Sequence, residues 1–442
     1  MNKFAKKFSI PHNDIAKIVM DGPDNFLGYD EKLEDENFFY NVITNADQSY
    51  RDEIADIYFG SSFIYEYGGT TRRYGDVMGK EATEKQIDNL FKIQEKYDIP
   101  ASLTINQESH PVEFIMDEDV RNGFIKWIGE FYERGLRMCT ISNMDLMSTG
   151  LLQENFPEMQ WKNTVNHIVS NVQQMVDLIN LGYNIIQFDR SLNRNMTELR
   201  RMSKEAKNRG VKSILLASEG CMPYCPFKTE HDTVQPWVGS TEGKSYFGTL
   251  STISCNKWRA KDDIFGGSTF LFESLPRIGT QCEWDTNERF DMYNDLVDNF
   301  KFSGRLMDLY GGSKPESYAC WSYKTSDRKN IFIARSFKEV YDLGTGFLSQ
   351  WNGRGYVTTD SDDLKRYDIR NSNIRKKAVK YFDQIDHIYK TEAGIKMCKA
   401  LPNCKNQCWD CHLCEDAYGL EHFDSLVQIN RGPNPIEYKE IL

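Results

Sequence analysis

VSNVQQMVDLINLGYNIIQFDRSLNRNMTELRRMSKEAKNRGVKSILLASEGC, residues 169–221, decides the fold. NVQQMVDLINL (171–181) carries a helical apolar pattern and passes through Gly182 into the short apolar run YNIIQFD. MTELRRMSKEAKNRG is a second helix, closed by Gly210, and VKSILLA a second apolar run. Runs of that length between amphipathic helices read as buried strands. Repeated strand–helix units imply parallel strands joined by right-handed crossovers.

The same alternation extends upstream. IADIYFG (54–60) reads as a strand. TEKQIDNLFKIQEKYDI follows as a helix opening on Thr83 and Gln86 at capping-box spacing. ASLTIN (101–106) and RMCTIS (137–142) are further strands, separated by a helix with Val120, Phe124, Ile128 and Phe131 on one stripe. MQWKNTV (159–165) is a weaker strand. STFLFES (268–274) and NFKFSG (299–304) are expected later ones. Eight units close a barrel, and six or seven are readable. The expected fold is α/β, a TIM-like (β/α) barrel with an N-terminal capping segment and a helical, cysteine-rich C-terminal extension. An open doubly wound sheet is the second choice. The expected divisions are 1–50 for the cap, 51–310 for the barrel, 311–395 for a mixed extension with a helix over 361–390, and 396–442 for the tail.

Composition narrows the class. The chain has 442 residues, a formal charge of −11 and 40% hydrophobic residues. No apolar run reaches the ~18 residues of a spanning helix, so no membrane role is expected. The negative charge disfavours a general nucleic-acid coat. MNKFAKKFSIPHND has basic residues but no apolar core behind them, unlike a secretory signal. A cytoplasmic, reducing setting is therefore expected, where the 11 cysteines serve metals or chemistry rather than disulfides.

All but Cys139 lie after residue 220. Cys139 sits in an apolar strand and reads as core. Cys221 and Cys225, in SEGCMPYCPFKTEHD (218–232), leave a strand on the side where barrels carry their functional loops. Spacing and compartment favour metal or cluster ligation there over a rigid loop with inert thiols. LPNCKNQCWDCHLCED (401–416) sets Cys404, Cys408, Cys411 and Cys414 on one short stretch. Four thiols so close suit an iron–sulfur cluster, with a structural zinc as the alternative. Trp409 and His412 are candidates to shield such a centre. Glu230 and His231 follow the first thiol pair, and Asp189 and Arg190 end the YNIIQFD strand on the expected rim. Lys301 and Arg305 are candidates to bind an acidic group, or to close ion pairs around the barrel. No nucleophile–base motif supports protease activity.

The 169–221 passage resembles the collagenase-like peptidase U-thirty-two (U32) family, with Asp189-Arg190-Ser191-Leu192 where the family often has Arg-Glu-Leu. LVDNFKFSGR (296–305) is similar to the family's K-I-x-G-R strand, and IYFGSSFIYEYGG (57–69) is compatible with its first strand and glycine turn. The resemblance spans roughly residues 50–310. It implies a [4Fe–4S] cluster held by Cys221, Cys225, Cys255 and Cys282, and an oxygen-independent hydroxylase-like oxidoreductase. The implied substrate is a small molecule or a modified nucleoside, with an electron donor as partner. The tail cysteines then provide a second cluster, share the first, or hold zinc. C-x3-C-P-x4-H departs from the wider first gap of the family's hydroxylases and is similar to a less characterised branch. The alternatives are a non-catalytic iron–sulfur protein for electron transfer or interaction, and a zinc-stapled barrel with a nucleic-acid role.

Overall fold

The structure, a computed structural model, describes residues 7–12, 54–76, 81–218, 228–234, 295–302, 391–405 and 407–418, with a few shorter stretches between them. Eight parallel strands close a barrel in the order β1, β8, β7, β6, β5, β4, β3, β2. They are β1 (Lys7–Pro11), β2 (Ile54–Gly60), β3 (Ala101–Ile105), β4 (Met138–Ile141), β5 (Gln160–Lys162), β6 (Ile185–Gln187), β7 (Lys212–Ser218) and β8 (Asn299–Phe302). β1 pairs with both β2 and β8, so the sheet has no free edge and the open-sheet alternative falls. The first strand lies inside the stretch expected to be a cap, so the barrel begins at Lys7 and not near residue 51. KFSIP is too short, and too close to its basic flank, to show a period.

Helices α1 (Glu84–Tyr97), α2 (Glu118–Glu133), α3 (Val172–Asn180) and α4 (Met196–Asn208) connect the middle strands. Each starts on a side chain that accepts an orphan backbone N–H. Thr83 and Gln86 form the reciprocal box of α1. Asp117 accepts from Asp119 and Val120 at α2, and Asn171 and Asn195 cap α3 and α4. Between β2 and α1 the chain makes a hairpin, Ser62–Tyr67 against Thr70–Gly75, turning at Gly68 and Gly69 with φ of 61° and 76°. The left-handed region suits glycine there.

Strand alternation divides the core in two. Outward-facing Phe59, Leu103, Ile141, Trp161, Phe188, Leu215 and Phe300 join the helices in one apolar cluster. The hairpin is pinned to it by a run of rings, with Phe114 and Phe124 centred 4.7 Å apart and Tyr74 edge-on to Phe114 at 5.1 Å. Glu113, buried beneath, accepts from Tyr65 and Arg72, each at 2.8 Å. Facing inward, Met138, Ile185 and Ile214 form a small separate apolar cluster among the described residues.

The expected strand at 268–274 and the expected helix over 361–390 lie outside the described residues. In the tail, α5 (Glu392–Ala400), α6 (Cys408–Cys411) and α7 (Leu413–Tyr418) are formed. Met397, Leu401 and Ala417 are buried in the barrel's outer cluster.

Candidate functional site: the barrel mouth

A TIM barrel normally fills its interior with branched aliphatic side chains. Here many of the inward positions are polar. Lys162 Nζ donates to Asp56 Oδ2 at 2.7 Å, with side chains 3% and 2% exposed, and Ser9 Oγ donates to the same oxygen at 3.1 Å. Burial pushes the Lys162 ammonium down, and the Asp56 carboxylate opposes that shift. Across the barrel, Lys301 Nζ donates to Gln187 Oε1 at 3.1 Å and lies 4.7 Å from the centre of the Tyr58 ring. Asn163 continues the β5–β6 pairing with its side chain, accepting from Gln187 N at 2.6 Å and donating to Gln187 O at 3.0 Å. The hydroxyls of Ser102 and Thr104, on β3, are buried and make no hydrogen bond.

Past the ends of β3, β4 and β5 a second network forms around Ser142. Its hydroxyl donates to Gln107 O at 2.6 Å. With that proton committed, the Tyr74 hydroxyl and His110 Nε2, each 3.2 Å from Ser142 Oγ, must be donors. His167 Nε2 donates to Ser142 O at 2.8 Å, which leaves its buried Nδ1 unprotonated and without a hydrogen-bond partner. Burial lowers the His110 imidazole and brings His167 down to about 4. Glu108, on the same loop as His110, is raised to about 7, first by burial and then by Asp232. Asp232 belongs to the helix Lys228–Val234, whose Lys228 pairs with Asp232 and donates to Asn166 Oδ1 at 3.0 Å. That helix, which begins three residues past Cys225 in the sequence, sits on the β3–β5 side of the rim.

The β6–β7 side of the rim carries the tail. After β6, Asp189 opens a tight turn, Arg190–Arg194, by accepting from Ser191 N at 2.9 Å. Asn193 Nδ2 fastens that turn to Leu216 O of β7 at 2.8 Å. At the start of α4, Met196 N donates to Pro402 O at 3.1 Å and Asn195 bridges Asn403. Cys404 is the next residue. The thiol-rich tail therefore docks on the rim beside the strand from which Cys221 and Cys225 issue.

Asp189 and Arg190 are on the rim but buried, and the Asp189 carboxylate is occupied in holding its turn. Glu230 and His231 lie on the Lys228–Val234 helix. Cys139 is buried core, its thiol pushed up by desolvation. Cys404, Cys411 and Cys414 form no disulfide and are half-buried or exposed. Trp409, a candidate shield, is 58% exposed. His412 stacks on His422 with centroids 4.2 Å apart. Cys221, Cys225, Cys255, Cys282, Arg305 and the side chain of Cys408 lie outside the described residues. Thiols are the right donors for iron or zinc. Among the described residues, however, no three His, Cys, Asp or Glu side chains gather closely enough to hold a metal ion. Glu108, Ser142, His110, His167, Asp56 and Lys162 escaped the sequence reading. Their one signal is position, either one to five residues past a strand or on its inward parity.

Fold and rim together define a TIM-like (β/α) barrel protein with a polar interior. No family model and no curated protein matches the chain. Among solved structures, it is similar to the U32 peptidase Mk0906, at 9% identity over 61% of this chain and 91% of that one, with a TM-score of 0.35. It is also similar to a predicted mandelate racemase from Rhodobacter sphaeroides, at 12% identity over 54% of this chain and 49% of that one, with a TM-score of 0.27. Both scores are too low to carry a functional argument. No helix among the described residues is long and apolar enough to cross a membrane.

Proposed function

We propose that the chain is an iron–sulfur protein of U32-like kind, an oxygen-independent oxidoreductase acting on a polar small molecule or nucleoside at the barrel mouth. The observation that carries this reading is the docking of the tail. The Asn195–Asn403 bridge sets Cys404 against the rim turn that is fastened to β7, three residues before Cys221. That seating supports a reading in which thiols from distant parts of the sequence serve one centre. A structural zinc clasp has no need of that location.

Cys221, Cys225, Cys255 and Cys282 are the proposed ligands of one [4Fe–4S] cluster, and Cys404, Cys408, Cys411 and Cys414 of a second or of a shared one. Such a centre supplies one-electron transfer when bound. The chain's own contribution is to orient a substrate against Lys301 and Gln187 and to fix the imidazoles through Ser142. Burial raises the energetic weight of each of those contacts.

Electron paramagnetic resonance of dithionite-reduced protein, purified without oxygen, tests the reading. The expected result is a reduced-cluster signal that Cys221→Ser removes or halves. A silent protein containing zinc would replace this reading with the zinc-stapled barrel. A signal indifferent to Cys221→Ser would confine iron to the tail.

A further inference from the structure

We propose that Glu108 is an acid–base residue of the barrel mouth, exchanging a proton with a hydroxyl- or amine-bearing substrate held there. The Lys228–Val234 helix governs its charge by setting Asp232 and Lys228 against it. The substrate class rests on the reading above; the carboxyl chemistry does not need iron.

Glu108 stands just past β3, on the rim where barrel loops meet their ligands. Its Oε1 is buried and has no hydrogen-bond partner. An acceptor left so is costly in a finished fold, and a ligand donor would satisfy it. Asp232 and Lys228 face it from the helix, and His110 shares its loop. Tyr74 from the hairpin and Tyr183 from the approach to β6 are also near, and Glu108 opposes the ionisation of both. Asp232 is itself buried, and Lys228 reaches both it and Asn166.

Desolvation leads and Asp232 adds to it, holding Glu108 at about 7, while Lys228 pulls the other way. A carboxyl there is divided between its two forms at neutral pH, the condition that suits proton transfer in either direction. Ionised Glu108 takes the proton of a substrate O–H or N–H, becoming the neutral acid and leaving the electron pair on the substrate heteroatom. It then returns the proton to product or water.

The test uses the full chain labelled with carbon-13 at glutamate carboxyls and titrated by NMR. One carboxyl is expected to titrate near 7, absent in Glu108→Gln and displaced downward in Asp232→Asn, with circular dichroism confirming both folds. Carbodiimide with glycine ethyl ester at pH 7 is expected to label Glu108 about tenfold or more faster than exposed Glu84 and Glu118. A midpoint in the ordinary glutamate range overturns the proposal, as does labelling no faster than at Glu84, which would mark a sealed structural carboxyl. Iron measured on the same samples separates the two readings. A zinc protein whose Glu108 titrates near 7 loses the cluster and keeps the acid–base residue.

Discussion

The two faces of the barrel strands follow opposite rules. Outward, Leu103, Ile105, Ile141 and Phe188 pack in an apolar layer against the helices. Inward, one residue away on the same strands, stand Ser102, Thr104, Thr140 and Gln187, all buried. Burying polar groups opposes folding unless they find partners, and two of these hydroxyls have none. The outward face therefore supplies the stability, and the inward face keeps chemistry available at its expense. That asymmetry is what supports the proposal of a working site inside the barrel mouth.

The sharpest way to break the comparison is the buried ion pair. Asp56→Ala leaves the buried Lys162 without its counter-ion, with an expected loss of about 3–5 kcal/mol in urea unfolding. Asp56→Leu with Lys162→Met should recover most of it, because well-packed apolar groups often replace such a pair at no loss. If the double variant is as unstable as Asp56→Ala, the interior needs its charges for folding. Next come neighbours on opposite faces of β3. Leu103→Ala is expected to lose about 2–5 kcal/mol through cavity formation. Ser102→Ala removes an unsatisfied hydroxyl and is expected to be neutral or stabilising by about 1 kcal/mol. Equal losses would erase the distinction between the faces.

The rim gives a pH test. The unfolded chain protonates His167 near 6.5, whereas the folded chain resists until about 4, so His167 lowers stability as pH falls through that window. Glu108 does the reverse. Folded, it holds its proton up to about 7 against an ordinary 4.5, so it lowers stability as pH rises through that window. The two oppose each other where the windows overlap. Glu108→Gln is expected to steepen the acid-side loss of stability, and His167→Gln to leave a loss on the alkaline side. Chemical denaturation across pH measures both slopes, and unchanged slopes would remove these residues from the account. The smallest effect is expected at exposed Trp409, where Ala should change stability by less than about 0.5 kcal/mol. A larger loss would show that the ring packs against something in solution.

Legibility followed the range of the interactions. Ile54–Gly60, Ala101–Ile105 and Lys212–Ser218 were readable because apolar runs bounded by caps and glycines are local patterns. Lys7–Pro11 was not, since its membership depends on pairing with Ile54–Gly60 and Asn299–Phe302, far along the chain. The Asp56–Lys162 pair joins residues 106 positions apart, and strand parity alone would have hinted that both point inward. Glu108 and His167 look like ordinary loop residues until closure of the barrel brings them near helix Lys228–Val234 and Ser142. The thiols were conspicuous in sequence, but the seating of the tail at Asn195 rests on backbone contacts that no motif announces.

The central claim, that the thiols at the mouth hold iron, is tested most directly by iron, acid-labile sulfide and zinc per chain after purification without oxygen. About four or eight irons with matching sulfide are expected, for one or two [4Fe–4S] centres. Zinc without iron or sulfide would contradict it and leave the tail as a structural clasp on a polar barrel.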